Sequence, residues 1–199
     1  MTTHPLAARE TSPRPSLLSG LGFFRRNLAA RLGAMVLGTM LLALSAHIAV
    51  PFWPVPMSLQ TLVVLLIGLA YGANLAGATL LLYLAEGAIG FPVFHGGAGL
   101  AYFAGPTAGY LIGFVPAAIL VGIFAERGAA RGLARTAAIL LAGDALIFAT
   151  GLAWLAVNVG PAKSLAFGLL PFLPAEAVKL ALAAAMAPVL RGTAFSSRR

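Results

Sequence analysis

The chain contains no cysteine, so disulfides, thiol chemistry and cysteine-based metal sites are excluded. It also has little charge: 9% of its 199 residues are Asp, Glu, Lys or Arg, against about 25% in soluble domains. With 60% hydrophobic residues, a chain this poor in charge must face lipid. Lys and Arg are wholly missing between Arg31 and Arg127. The net charge of +8 therefore does not describe a nucleic-acid surface, which needs its basic side chains gathered on one folded face. HExxH, GxSxG and P-loop patterns are also missing, as is any nucleophile with a base at usable spacing. The chain is thus expected to be neither a hydrolase nor an ATPase, and to need no cofactor. His47 and His95 stand apart from other ligand types, so no metal site is expected.

Apolar runs fill the rest. They predict six membrane spans near 28–50, 59–71, 73–89, 107–125, 136–157 and 174–190. These give an all-α bundle, residues 28–190, between an N-terminal tail 1–27 and a C-terminal tail 191–199. No internal repeat and no signal-peptide pattern is evident. The 11 arginines cluster in 9–31, 127–135 and 191–199. With both termini in the cytoplasm, all of them fall on the inner side and only Lys163 lies outside, a strong positive-inside asymmetry. Pro51, Pro54 and Pro56 stiffen the first outer loop, where Phe52 and Trp53 suit an interfacial anchor. On the first span, Ala30, Ala34 and Gly38 form a stripe of small residues, read as a face for docking a partner helix.

The second outer segment, Gly90–Phe114, organises the chain. Seven of its 25 residues are glycine, it is rich in Phe and Tyr, and none carries a formal charge. An ordinary loop would be polar and solvated. This one reads as irregular backbone folded back into the protein, which a membrane tolerates only where it is buried or lines a cavity.

Three ionisable residues stand in or near the spans. Glu176 and Lys179, at i and i+3, share a helix face near the outer end of the last span. Asp144 sits mid-span, about 20 Å from the outer end by helical rise, a register that keeps it apart from Lys179. Asp144, Gly151 and Asn158 recur at i, i+7 and i+14, with Trp154 beside them. The outer end of that stripe, Trp154 and Asn158, is expected to approach Glu176 and Lys179.

Four stretches carry a family resemblance: VPFWPVPMSLQTLVVLLIG (50–68), GAIGFPVFHGGAG (87–99), GPTAGYLIGF (105–114) and PFLPAEAVKLALAA (171–184). Together they resemble the BioY family, the biotin-binding S components of energy-coupling-factor transporters. The resemblance spans roughly residues 30–190. It implies a six-helix bundle that binds biotin on its outer side. It also implies partners, a transmembrane coupling protein and cytoplasmic ABC-type ATPases, in the cytoplasmic membrane of a prokaryote; a homo-oligomer is allowed. The family's pattern before and in the last helix is Pro-Gly-Asp-x-x-Lys. Here Ala175 and Glu176 replace the glycine and aspartate, and Lys179 matches. The candidate biotin-binding set is Gln60, Phe94, His95, Gly96, Gly97, Tyr110, Trp154, Asn158, Glu176 and Lys179, with Asp144 and Glu86 further off. A carboxylate accepts from ureido N–H groups, a lysine donates, and aromatic faces cover the bicycle. A stand-alone secondary carrier coupled to protons through Asp144, or a carrier for another small vitamin, remains the alternative.

Overall fold

The computed structural model describes residues 28–130 and 132–193. The tail 1–27, Arg131, and the tail 191–199 beyond the backbone of 191–193 fall outside the described residues, and with them most of the arginine clusters. The elements are α1 (Leu28–His47), a two-residue hairpin β1 (Ala49–Val50) and β2 (Met57–Ser58), α2 (Gln60–Ala88), a 3₁₀ turn (Leu100–Ala104), α3 (Ala108–Glu126), α4 (Leu133–Val159), α5 (Pro161–Gly168) and α6 (Leu173–Thr193). In the hairpin, Ala49 pairs with Ser58 and Val50 with Met57.

Five of the helices, α1, α2, α3, α4 and α6, are long and apolar enough to cross a membrane. The protein is a multi-pass membrane protein, and α2 supplies two of its passes. Gly72 breaks the helical path with φ 76° and ψ 172°. The Gln60 amide nevertheless bonds the Tyr83 hydroxyl at 2.7 Å, 23 residues on. A continuous helix would hold them about 35 Å apart. The chain therefore reverses at Gly72, and 60–71 and 73–88 run antiparallel. Gly68 packs on Ala118 and Val121 while Gly77 packs on Ile119, so both halves meet the same stretch of α3. At the turn, the Glu126 carboxylate accepts from the Ala73 N–H at 3.0 Å, capping the start of the second half.

The direction of the bundle follows. α1 runs from Ala34, whose carbonyl accepts from the Tyr71 hydroxyl, to Ala46, whose carbonyl faces His95. One end carries Gly72, Glu126 and the start of α4; the other carries the hairpin and the glycine-rich segment. Among the described residues, Arg31, Arg127 and Arg135 lie at the first end and Lys163 at the other. Leu32, Val36, Met40 and Leu44 of α1 are exposed, as a lipid-facing stripe must be.

The small-residue stripe of α1 is placed differently from the docking face read in the sequence. Gly38 is buried, and a Cβ there would stand 2.6 Å from Thr79 Cγ2. Ala34 faces Tyr71 in the same way. Ala34 and Gly38 serve the contact between α1 and α2 of this chain. Ala30 is half-buried one turn earlier. The reason is geometric: the small residues let the α2 hairpin come close, which turns the bulky side chains of α1 outward.

The link between α4 and α6 also departs from expectation. The helix α5 does not run along the outer surface. It folds back beside α4, so that Gly168 packs against Leu152 and Leu155 and its carbonyl accepts from the Tyr110 hydroxyl at 2.8 Å. Phe172 then meets the ring of Phe148 edge-on, centroids 6.0 Å apart. α6 thus begins at the level of Phe148, well below the outer end of α4.

Candidate functional site

That re-entry builds the site. One turn past Phe172, Glu176 arrives at the level of Asp144, one turn before Phe148. Glu176 and Lys179 are paired at 2.7 Å, with side chains 5% and 8% exposed. Every hydrogen of the lysine is used. Lys179 Nζ donates to the Ser58 carbonyl at 2.6 Å, to Thr61 Oγ1 at 3.1 Å and to Glu176 Oε1 at 2.7 Å. Thr61 passes its own hydroxyl hydrogen to Glu176 Oε2 at 2.8 Å. The carboxylate is held by both oxygens, each with a lone pair to spare. Burying a charge pair is costly unless its remaining partners are supplied, and here α2 supplies them.

Asp144 is buried behind this pair and interacts electrostatically with both members. Its Oδ1 has no partner among the described residues. The register read from the sequence, which kept Asp144 away from Lys179, is corrected by α5: the last helix starts deep, not at the outer interface. For the same reason Trp154 and Asn158 do not approach Glu176 and Lys179. Trp154 Nε1 donates to the Gly105 carbonyl at 2.9 Å, on the flank of the bundle, and Asn158 donates back to the Trp154 carbonyl. Asn158 lines a separate outer groove with Trp53, Val159, Lys163 and Phe167.

Above the pair opens a pocket. Its polar end is Ser58, Gln60, Thr61, Glu176 and Lys179; its walls are Tyr102, Thr107, Tyr110, Leu111, Phe114, Phe148 and Phe172; its mouth is Val55, Pro56 and His95. Of the candidates read from the sequence, Gln60, His95, Tyr110, Glu176 and Lys179 line it. Tyr110 presents its ring, because its hydroxyl is spent on Gly168. His95 Nδ1 donates to the Ala46 carbonyl at 2.9 Å, tying the segment to α1.

Phe94, Gly96 and Gly97 do not line the pocket. Phe94 is buried over Gly87, where any side chain would collide with its ring, and stacks on Tyr83 and Tyr102. Gly97 sits under Tyr102, where a Cβ would come within 2.6 Å of the ring. Gly96 adopts φ 72°, which glycine alone adopts freely. Glu86 is half-buried near the end of α2 and stands outside the pocket; its carbonyl accepts from Phe91. These residues shape the segment, and the segment presents Tyr102 and His95. The segment packs into the protein only in part: Phe94 is buried, while Phe91 and Leu100 are exposed.

Ser58, Thr61, Tyr102, Phe148 and Phe172 were not singled out by the sequence reading. Ser58 and Thr61 flank Gln60 in one motif. Phe148 lies one helical turn from Asp144, a signal that was available.

A family model described as "BioY family" matches residues 17–195. A "Probable biotin transporter BioY" of Pyrococcus horikoshii is 38% identical over 82% of this chain and 98% of its own length. The "Biotin transporter BioY" of Thermotoga maritima is 35% identical over 75% of this chain and 88% of its own. Among solved structures, the S-component for biotin from an ECF-type ABC transporter superposes with a TM-score of 0.74 at 26% identity, covering 82% of this chain and 92% of that one.

Proposed function

This chain belongs to the BioY family, and we propose that it binds biotin in the pocket above Glu176 and Lys179 as the substrate-specific subunit of an ECF-type transporter. The observation that carries this reading is the match between the pocket's unspent valences and a cyclic urea. Biotin offers two ureido N–H donors, and Glu176 keeps a lone pair on each oxygen. The bicycle is compact and apolar, and the aromatic side chains of Tyr110, Phe114, Phe148 and Phe172 line the pocket. Lys179 acts by holding Glu176, since its own three hydrogens are committed. The valerate tail points to the mouth, where His95 and the hairpin stand.

Binding alone does not move a ligand across a membrane. The chain carries no P-loop, so ATP hydrolysis belongs to cytoplasmic ABC-type ATPases, linked through a transmembrane coupling protein. The arginine distribution supports a cytoplasmic membrane with both termini inside.

Equilibrium binding of biotin to the purified chain, with desthiobiotin, lipoate and thiamine as competitors, tests the reading. Biotin should bind, desthiobiotin should compete, and the other two should not. Equal competition by lipoate, which has no ureido group, would sink it. A second reading, stand-alone carriage coupled to protons, is favoured by the unpartnered Asp144 Oδ1 beside the ion pair. It requires uptake by the isolated chain in liposomes under a pH gradient.

A further inference from the structure

One hydroxyl outside the pocket decides which way a pocket amide faces. Tyr83 is fully buried and is not among the pocket-lining residues. Its single hydrogen goes to the Val93 carbonyl at 2.8 Å. Its oxygen, 2.7 Å from the Gln60 amide, can therefore only accept there, and Gln60 must present its NH₂ group to it. The other side of the amide agrees: Ser58 Oγ donates to Gln60 Oε1 at 3.1 Å. Ser58 Oγ in turn accepts from the Gln60 backbone N–H. The amide is clamped at both ends.

Donors at the polar end can now be counted. Lys179 has spent three hydrogens and Thr61 its one. The Ser58 hydroxyl is committed to Gln60, Tyr110 to Gly168 and Tyr102 to the His95 carbonyl. Among these residues the second N–H of the Gln60 amide is the donor left over; on the wall the Thr107 hydroxyl is a further one. Glu176 supplies only acceptors. A ligand group that both donates and accepts, as a cyclic urea does, needs a donor for its carbonyl, and the Gln60 N–H is the one placed beside the Glu176 acceptors.

We propose that Tyr83 is a positioning residue that locks the Gln60 amide with one N–H free for the ligand carbonyl, and so sets the pocket's preference for a urea. This rests on the biotin reading of the pocket. Because Tyr83 is bonded to Val93 and its ring stacks edge-on against Phe94 at 5.3 Å, the lock is anchored in the glycine-rich segment that forms the pocket wall. A shift of that segment would release the amide. The clamp thus joins the wall to the donor that reads the ligand.

The test is a double-mutant cycle on the full chain, with biotin affinity and thermal stability measured for each variant. Tyr83→Phe should weaken biotin binding roughly three- to tenfold, the scale of one neutral hydrogen bond. In a Gln60→Leu background the same substitution should change affinity by less than about twofold, because its only route to the ligand is gone. A merely structural tyrosine would instead lower affinity and stability equally in both backgrounds. That result, or unchanged binding by Tyr83→Phe, would overturn the proposal. Gln60→Glu provides a check that does not depend on Tyr83→Phe folding. It keeps the shape but removes the donor, so biotin should bind as weakly as to Gln60→Leu; wild-type affinity would refute the assignment. If the wild-type chain binds no biotin, the reading of the pocket fails first, and this proposal with it.

Discussion

Lys179→Met tests the site most sharply, because the structure separates two effects that a simple contact picture would merge. Methionine keeps the apolar stem and removes the charge. The three bonds to the Ser58 carbonyl, Thr61 and Glu176 are lost together. Breaking a buried pair by removing one partner costs about 3–5 kcal/mol when the other stays charged. Much of that appears as stability. The effect on binding is smaller and runs through Glu176. Thr61 still holds Oε2, but Oε1 swings free and no longer meets the ligand in a fixed place. One charge-assisted hydrogen bond contributes about 1.5–3 kcal/mol. Biotin affinity should therefore fall by a factor of about ten to a hundred. Asp144→Asn is the comparison arm. It keeps the shape, and its amide N–H can serve the Glu176 carboxylate, so affinity should stay within about threefold of wild type, below the scale of one net hydrogen bond. Titration calorimetry on detergent-purified variants, each checked by thermal unfolding, reads both numbers. Wild-type affinity in a folded Lys179→Met would refute the role of the lysine. A larger loss from Asp144→Asn would show that Asp144, not Glu176, receives the ligand.

Two further outcomes follow from the inner end of the bundle. Gly72→Ala places a methyl group against Glu126 at a backbone angle that favours glycine, so the α2 hairpin should lose about 1–3 kcal/mol through strain and a weakened cap; an unchanged unfolding midpoint in detergent would contradict the reversal at this residue. Cysteines introduced by Ser16→Cys and Ser197→Cys should resist a membrane-impermeant label in intact cells and react after lysis; labelling of either from outside would overturn the inner placement of the termini.

The six passes were legible because lipid imposes them. Each apolar run is bounded by a proline, a glycine or an arginine, and a helix is the way such a run satisfies its backbone in hydrocarbon. Even the reversal at Gly72 was legible, although the residues around it carry no charge and the helical path is broken at one residue only. What could not be read was α5. Residues 161–168 include Pro161 and Lys163, and look like a loop by composition. Their course depends on Tyr110 bonding Gly168 and on Leu152 and Leu155 packing beside it, contacts between residues up to 58 positions apart. Helical rise measured from the wrong starting level then misplaced Asp144 against Lys179.

The same limit governs the aromatic residues. Phe94 and Phe148 look alike in the chain, each an aromatic close to a glycine in an apolar stretch, apart from Asp144 one turn before Phe148. Their roles diverge because of what stands opposite. Phe94 meets Gly87, which has no side chain, so its ring sinks into the core and steadies the segment. Phe148 meets the rings of Tyr110 and Phe172, and the three leave space that no side chain fills. A wall residue and a buttress residue therefore share one sequence signature. The distinction lies in the partner's volume, which only the fold supplies. The glycine-dense segment contributes His95 and Tyr102 to the pocket, while much of its glycine lies under rings and between helices. Gly113 and Gly151 let α3 and α4 approach until Thr150 and Tyr110 fill the places where their side chains would be. That close approach holds Tyr110 against Phe148, and so it is the packing of two membrane helices that gives the pocket its wall.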